Sequence, residues 1–254
     1  MLLANVGVVL GLMSLVWVWS VIRRDVSVVD PFWSVAYLLA VANSVLWTGV
    51  TPAKLLILAV VGLWALRLWG WLTWRSIGKG EDPRYTAFRQ RFGPERYWWF
   101  SFFQVFMLQG GLVLLVTAPL QFAGAAPPPD EIGALDVLAA VIALAGTAIE
   151  ALADWQLERF KRRPNRRPVM DEGLWRYSRH PNYFGEILVA WGFFLFALDQ
   201  PAGIATLFGP ILMTFLLVRV SGVALLDEHM AARKPEYREY MRRTRALVPG
   251  PRRD

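Results

Sequence analysis

Asn182 and Glu186 stand four residues apart in "RYSRHPNYFGEI", residues 176–187. On a helix that spacing stacks an amide and a carboxylate on one face. Together the two groups can bind a carboxamide, an amine or a ribose. Pro181 suits the first turn of such a helix, where its missing N–H would be unpaired anyway, and it pushes His180 toward an extended conformation. Tyr183 and Gly185 flank the pair, and Gly185 admits close approach of another backbone or a flat ligand. Glu186 then points into a cavity near the positive end of its helix. The plainer reading is a helix start satisfied by its own cap.

Further charges stand inside apolar stretches: Asp30, Arg67, Glu150, Asp154, Glu186 and Arg219. Taken singly, each is explained by snorkelling or a structural ion pair. Taken as a set at one depth, they point to a shared water- or ligand-filled cavity, because such groups are costly in a bilayer and usually face a cavity or partner. The loop "ERFKRRPNRRP" (158–168) reads either as a solvated charge run or as a phosphate clamp, since arginine contacts phosphate oxygens bidentately. It lacks the interleaved aromatics of a nucleic-acid surface. The chain has no G-x-G-x-x-G after a strand and no G-x-x-x-x-G-K-[ST], so any nucleotide must be held by helices and arginines. With no Cys and two His, disulfides, thiolate nucleophiles and zinc–sulfur sites are excluded, and no metal centre is expected. His229, Arg233 and Tyr237 recur at helical spacing in the tail, with Pro235 between the last two. That tail is either an amphipathic helix on anionic lipid or a lid over the cavity.

The elements that must position these groups are membrane helices. Of 254 residues, 56% are hydrophobic, beyond the share of an ordinary soluble domain. An all-α, polytopic membrane protein is expected, with about seven spans near 2–22, 27–49, 53–74, 99–122, 133–154, 183–199 and 202–226. The first run lacks a basic n-region and reads as a retained helix. Nearly all of the 27 Lys and Arg fall on one side of these spans; Lys54 lies on the other, and Arg67 and Arg219 lie within spans. The positive-inside rule makes the basic side cytoplasmic, with the N-terminus outside and the C-terminus inside. The whole chain reads as one integral-membrane domain, with 1–122 and 133–254 as its two halves. The composition suggests a membrane protein in contact with lipid and not with nucleic acid.

"EGLWRYSRHPNYFGEI" followed by "EYREYMRRTRALVP" resembles the C-terminal signature of the steroid 5α-reductase (3-oxo-5α-steroid 4-dehydrogenase) family. Upstream, "VVDPFW", "LWALRLWGW" and "GEDPRY" are similar to its bacterial membrane branch. The resemblance implies seven helices, NADPH in a cytoplasm-facing cavity, and a lipophilic enone such as a Δ4-3-oxo steroid among the first four helices. The implied reaction is hydride reduction of the enone double bond. The family's N-[FY]-x-G-E element falls on Asn182, Tyr183 and Glu186, and its R-H-P core on Arg179 and His180. By the same resemblance Asp154, Lys161, His229, Arg233 and Arg67 join the cofactor set. The catalytic Gln-Glu dipeptide of the animal enzymes falls on Val29-Asp30, and their tyrosine falls on Trp64. Asp30 would then donate to the ketone oxygen, with the Trp64 N–H orienting it and Phe32, Trp33 and Tyr37 shaping the lipophilic wall. The R-H-P-x-Y-x-G core is also similar to that of sterol C14 and C7 reductases. It equally resembles S-adenosylmethionine-dependent membrane methyltransferases of the isoprenylcysteine or phospholipid type, whose acid pair Asp227-Glu228 would match.

Overall fold

The structure, a computed structural model, describes residues 1–127, 131–220 and 222–253, and contains helices and no strand among them. Among the described residues, six segments are long and apolar enough to cross a membrane: Leu2–Arg23, Val26–Thr48, Pro52–Ser76, Tyr97–Val116, Ala134–Lys161 and Gly203–Arg233. The chain is therefore an integral membrane protein. We label α1 Leu2–Arg23, α2 Val29–Thr48, α3 Pro52–Ser76, α4 Pro83–Phe92, α5 Tyr97–Val116 and α6 Ala118–Gly124. Then follow α7 Ala134–Lys161, α8 Pro181–Ala197, α9 Phe208–Phe215, α10 Val223–Arg233 and α11 Pro235–Arg243.

Departures from the expected spans have local causes. The 99–122 segment breaks at Thr117, two residues ahead of Pro119, which lacks an N–H for the helix ladder. The 133–154 segment continues to Lys161 because its last turns bury Phe160 in a cluster with Ala153, Met170 and Trp175. The 183–199 segment is a 17-residue helix, Pro181–Ala197, at the short end of what spans a bilayer. Pro235 breaks the helical spacing of His229, Arg233 and Tyr237: Lys234 is extended, and α11 restarts on the proline.

The chain forms two units, Met1–Asp136 with Phe196–Thr206, and Val137–Leu195 with Leu207–Asp254. In the first, α1, α2 and α6 are joined by buried amides. Asn5 Nδ2 donates to Ser44 Oγ and Gln121 Oε1, both at 2.8 Å, and Asn43 Nδ2 donates to Asn5 Oδ1 at 2.6 Å. Interhelical polar bonds of this kind hold helices together where lipid offers no hydrophobic drive. Lys54, wholly buried, donates to Thr48 Oγ1 at 2.9 Å and to the Gly49 carbonyl at 3.1 Å, satisfying the C-terminal end of α2.

In the second unit, small residues let α7 and α8 touch backbone to backbone. A Cβ on Gly146 would stand 2.5 Å from the Gly185 carbonyl oxygen, and one on Gly185 would stand 2.6 Å from that of Gly146. Farther along, a Cβ on Gly192 would meet Ala143 N at 2.7 Å. Of the two uses expected for Gly185, the structure shows the close backbone approach.

Candidate functional site

The α7–α8 contact brings the sequence-derived acids and amide together. Glu150 and Asp154 are four residues apart on α7 and are 3% and 7% exposed. Glu150 lies against Gly185, where a glycine Cβ would meet its backbone N at 2.8 Å. Asn182 Nδ2 reaches Asp154 Oδ1 at 3.4 Å, while the buried Asn182 Oδ1 has no hydrogen-bond partner among the described residues. Glu186, half-buried, follows one turn later on α8. The result is an acid-rich surface with one open amide acceptor. Such a surface suits ligand N–H or hydroxyl donors.

Arg179 and His180 sit beside this surface in a buried knot. Arg179 donates to both oxygens of Asp227, at 3.3 Å from Nε and 2.6 Å from NH2, and its NH1 donates to the Met241 and Thr244 carbonyls. His180 Nε2 lies 2.9 Å from Asp227 Oδ1, and the Tyr237 hydroxyl donates to the same oxygen at 2.7 Å. Burial, reinforced by Asp227, pushes the Tyr237 phenol well above its usual range, so it remains a donor at every physiological pH. The Tyr240 hydroxyl donates to the Ser178 carbonyl at 3.2 Å, and Arg179 N donates to the Arg245 carbonyl at 2.9 Å. The knot thus ties α10, α11 and the last residues to the "RYSRHP" turn. It also sets Tyr183, whose ring lies parallel to His180 at 5.7 Å.

The remaining cofactor candidates lie on α7, α10 and α3. Lys161, His229 and Arg233 are exposed at the end of α7 and along α10. In the basic loop, Arg163 and Arg167 are neutralised by Glu172 and Asp171. Arg67 is half-buried on α3, in the other unit.

In that first unit Asp30 has partners that the sequence reading missed. Its Oδ1 accepts the Tyr85 hydroxyl at 2.6 Å, and its Oδ2 accepts Arg84 NH2 at 2.7 Å. Gln109 Nε2 from α5 donates to the Tyr85 oxygen at 3.2 Å. Local chemistry fixes this placement. Asp82 caps α4 by accepting from Arg84 N at 2.9 Å, with Pro83 in the first turn. Burial raises the Asp82 carboxyl, but the side-chain and backbone hydrogen bonds from Arg84 outweigh it and hold the group below its usual value. Glu81 accepts Arg89 bidentately, at 2.7 and 3.0 Å, and takes the Val26 N–H at 2.9 Å, anchoring the turn before α2. Tyr85 is 5% exposed; burial first, then the Asp30 charge and hydrogen bond, push its phenol far above the ordinary range. Tyr85 is therefore a protonated donor held by a carboxylate. The signal for it lay in "GEDPRY", where an Asp-Pro helix start puts Arg and Tyr in the first turn. Trp64, 1% exposed, packs on Tyr37 at 5.0 Å, in an aromatic row continued by Trp33 at 5.1 Å.

Residues 16–244 match the family described as "Protein of unknown function (DUF1295)", and the chain belongs to that family. It is also similar to "Uncharacterized protein C594.04c" of Schizosaccharomyces pombe, 27% identical over 93% of this chain and 76% of that protein. No solved structure matches it.

Proposed function

We propose that this member of the DUF1295 family is an NADPH-dependent reductase of Δ4-3-oxo steroids or similar lipophilic enones. In this reading it spans the bacterial inner membrane seven times, N-terminus outside, with its cofactor side facing the cytoplasm. One observation carries the reading: the buried Tyr85 phenol, held by Asp30 and Gln109, is the donor that enone reduction requires and methyl transfer does not. NADPH, when bound, supplies the hydride. Asn182, with its open buried acceptor, would take the carboxamide or a ribose hydroxyl together with Asp154, Tyr183 and Glu186. Exposed Lys161, His229 and Arg233 would meet phosphates. Arg179 and His180 would act by positioning Asn182 and Tyr183.

Charge develops on the ketone oxygen during such a reduction, and a preplaced donor lowers the barrier. Tyr85 turns its hydrogen from Asp30 to that oxygen, Gln109 keeps the phenol in place, and Arg84 balances the carboxylate left behind. In this arrangement Asp30 positions the phenol, and Trp64 is part of the aromatic wall. A methyltransferase would need its acid pair at Asp227-Glu228. The hydrogen bonds from Arg179, His180 and Tyr237 already occupy Asp227, which supports the reductase reading.

Titration of purified protein in mild detergent with NADPH, NADH and S-adenosylmethionine tests the proposal. NADPH is expected to bind at least about tenfold tighter than NADH, since even one phosphate–arginine contact is worth about 1.5–3 kcal/mol. Preferential binding of S-adenosylmethionine would replace the proposal with the methyltransferase.

A further inference from the structure

We propose that the groove between α8 and α9 around Arg219 is a seat for one anionic phospholipid. The guanidinium takes the headgroup phosphate, and the acyl chains lie along the apolar walls. The apolar walls are Trp191 of α8, Ile211 and Phe215 of α9, and Val218 of the π-helical turn Leu216–Val220, with Thr214 and Arg219 completing the lining. Trp191 Nε1 donates to Thr214 Oγ1 at 3.2 Å, and the Thr214 hydroxyl donates to the Pro210 carbonyl at 2.7 Å. Both hydrogens are thus engaged in stitching the groove together, which leaves Arg219 as its donor.

Arg219 is exposed and pairs with no carboxylate among the described residues, unlike Arg84, Arg89 and Arg179. A cation flanked by exposed Ile211 and Phe215 on a membrane helix calls for an anion that brings its own apolar surface. Depth agrees with this. At roughly 1.5 Å per residue from Gly203, Arg219 lies about 24 Å along a hydrocarbon core of about 30 Å, near the far headgroup level. Basic groups between transmembrane helices at this level recognise anionic headgroups, and a wider π-helical turn re-aims side chains at functional sites.

Native mass spectrometry tests the seat, with protein in mild detergent offered phosphatidylglycerol and phosphatidylcholine in equal amounts with identical chains. The wild-type chain is expected to keep one phosphatidylglycerol in about fivefold preference, the value of one basic contact. Arg219→Gln should hold both lipids equally, while Arg219→Lys keeps the preference. A wild-type chain without preference, or an Arg219→Gln variant that retains it, overturns the proposal. Displacement by glycerol 1-phosphate at matched concentration overturns it too, by assigning the site to a soluble anion. Should the Gln variant misfold by circular dichroism, the wild-type lipid ratio and the Lys variant decide.

Discussion

Replacing Tyr85 by phenylalanine should lower enone turnover by about 10²–10³-fold, the effect of removing one preorganised donor to a developing oxyanion. Packing changes little, because phenylalanine fills the same buried space. Loss of the two hydrogen bonds to Asp30 and Gln109 should cost only about 1–3 kcal/mol of stability. NADPH affinity should be unchanged. Asp30→Asn removes the charge that holds the phenol and should lower turnover to a similar degree. The pair acts as a unit, so the double variant should be no slower than the slower single variant. Multiplicative losses in the double variant would assign the two residues independent roles. A Tyr85→Phe variant with full activity would remove Tyr85 from the chemistry.

The second large effect concerns the knot. Asp227→Ala should destabilise the protein by about 3–5 kcal/mol, the range for breaking a buried ion pair and leaving its partner charge uncompensated. Arg179 and Asp227 are only 9% and 10% exposed. Arg179 would keep the Met241 and Thr244 carbonyls, so the lower end of the range is expected. Asp227→Asn preserves an acceptor for Tyr237 and should lose less. The tail reports the difference directly: limited trypsin digestion should cut after residues of α11 faster in Asp227→Ala than in wild type. Equal digestion rates and equal thermal midpoints would show that other contacts hold the tail.

The contrast between these two sites shows what the sequence discloses. Six of the seven expected spans were legible because apolar length is a local property, and so was the start of α8, where Pro181 and the Asn182–Glu186 spacing speak for themselves. Asp154 stood out as a charge inside an apolar stretch and Asn182 by its spacing to Glu186, whereas their contact at 3.4 Å is visible only in the fold. Tyr85 was not legible, because its meaning depends on Asp30, fifty-five positions away, across a turn whose geometry is set by Asp82 and Glu81. Arg179 and His180 were legible as polar residues before the helix, but their burial was not: their partner Asp227, 48 and 47 positions downstream, ties both side chains into the knot. Gly185 admitted either a ligand or a backbone, and only its proximity to Gly146 decides.

Hydride transfer itself is the central claim, and isotope transfer tests it most directly. Purified protein in mild detergent would be incubated with a Δ4-3-oxo steroid and NADPH deuterated at C4 of the nicotinamide, and the product analysed by mass spectrometry. The account predicts a product reduced at the C4=C5 bond that carries one deuterium on the former β-carbon, and far less of it from Tyr85→Phe. A product formed without deuterium, or methyl transfer from S-adenosylmethionine with no NADPH consumed, would contradict it.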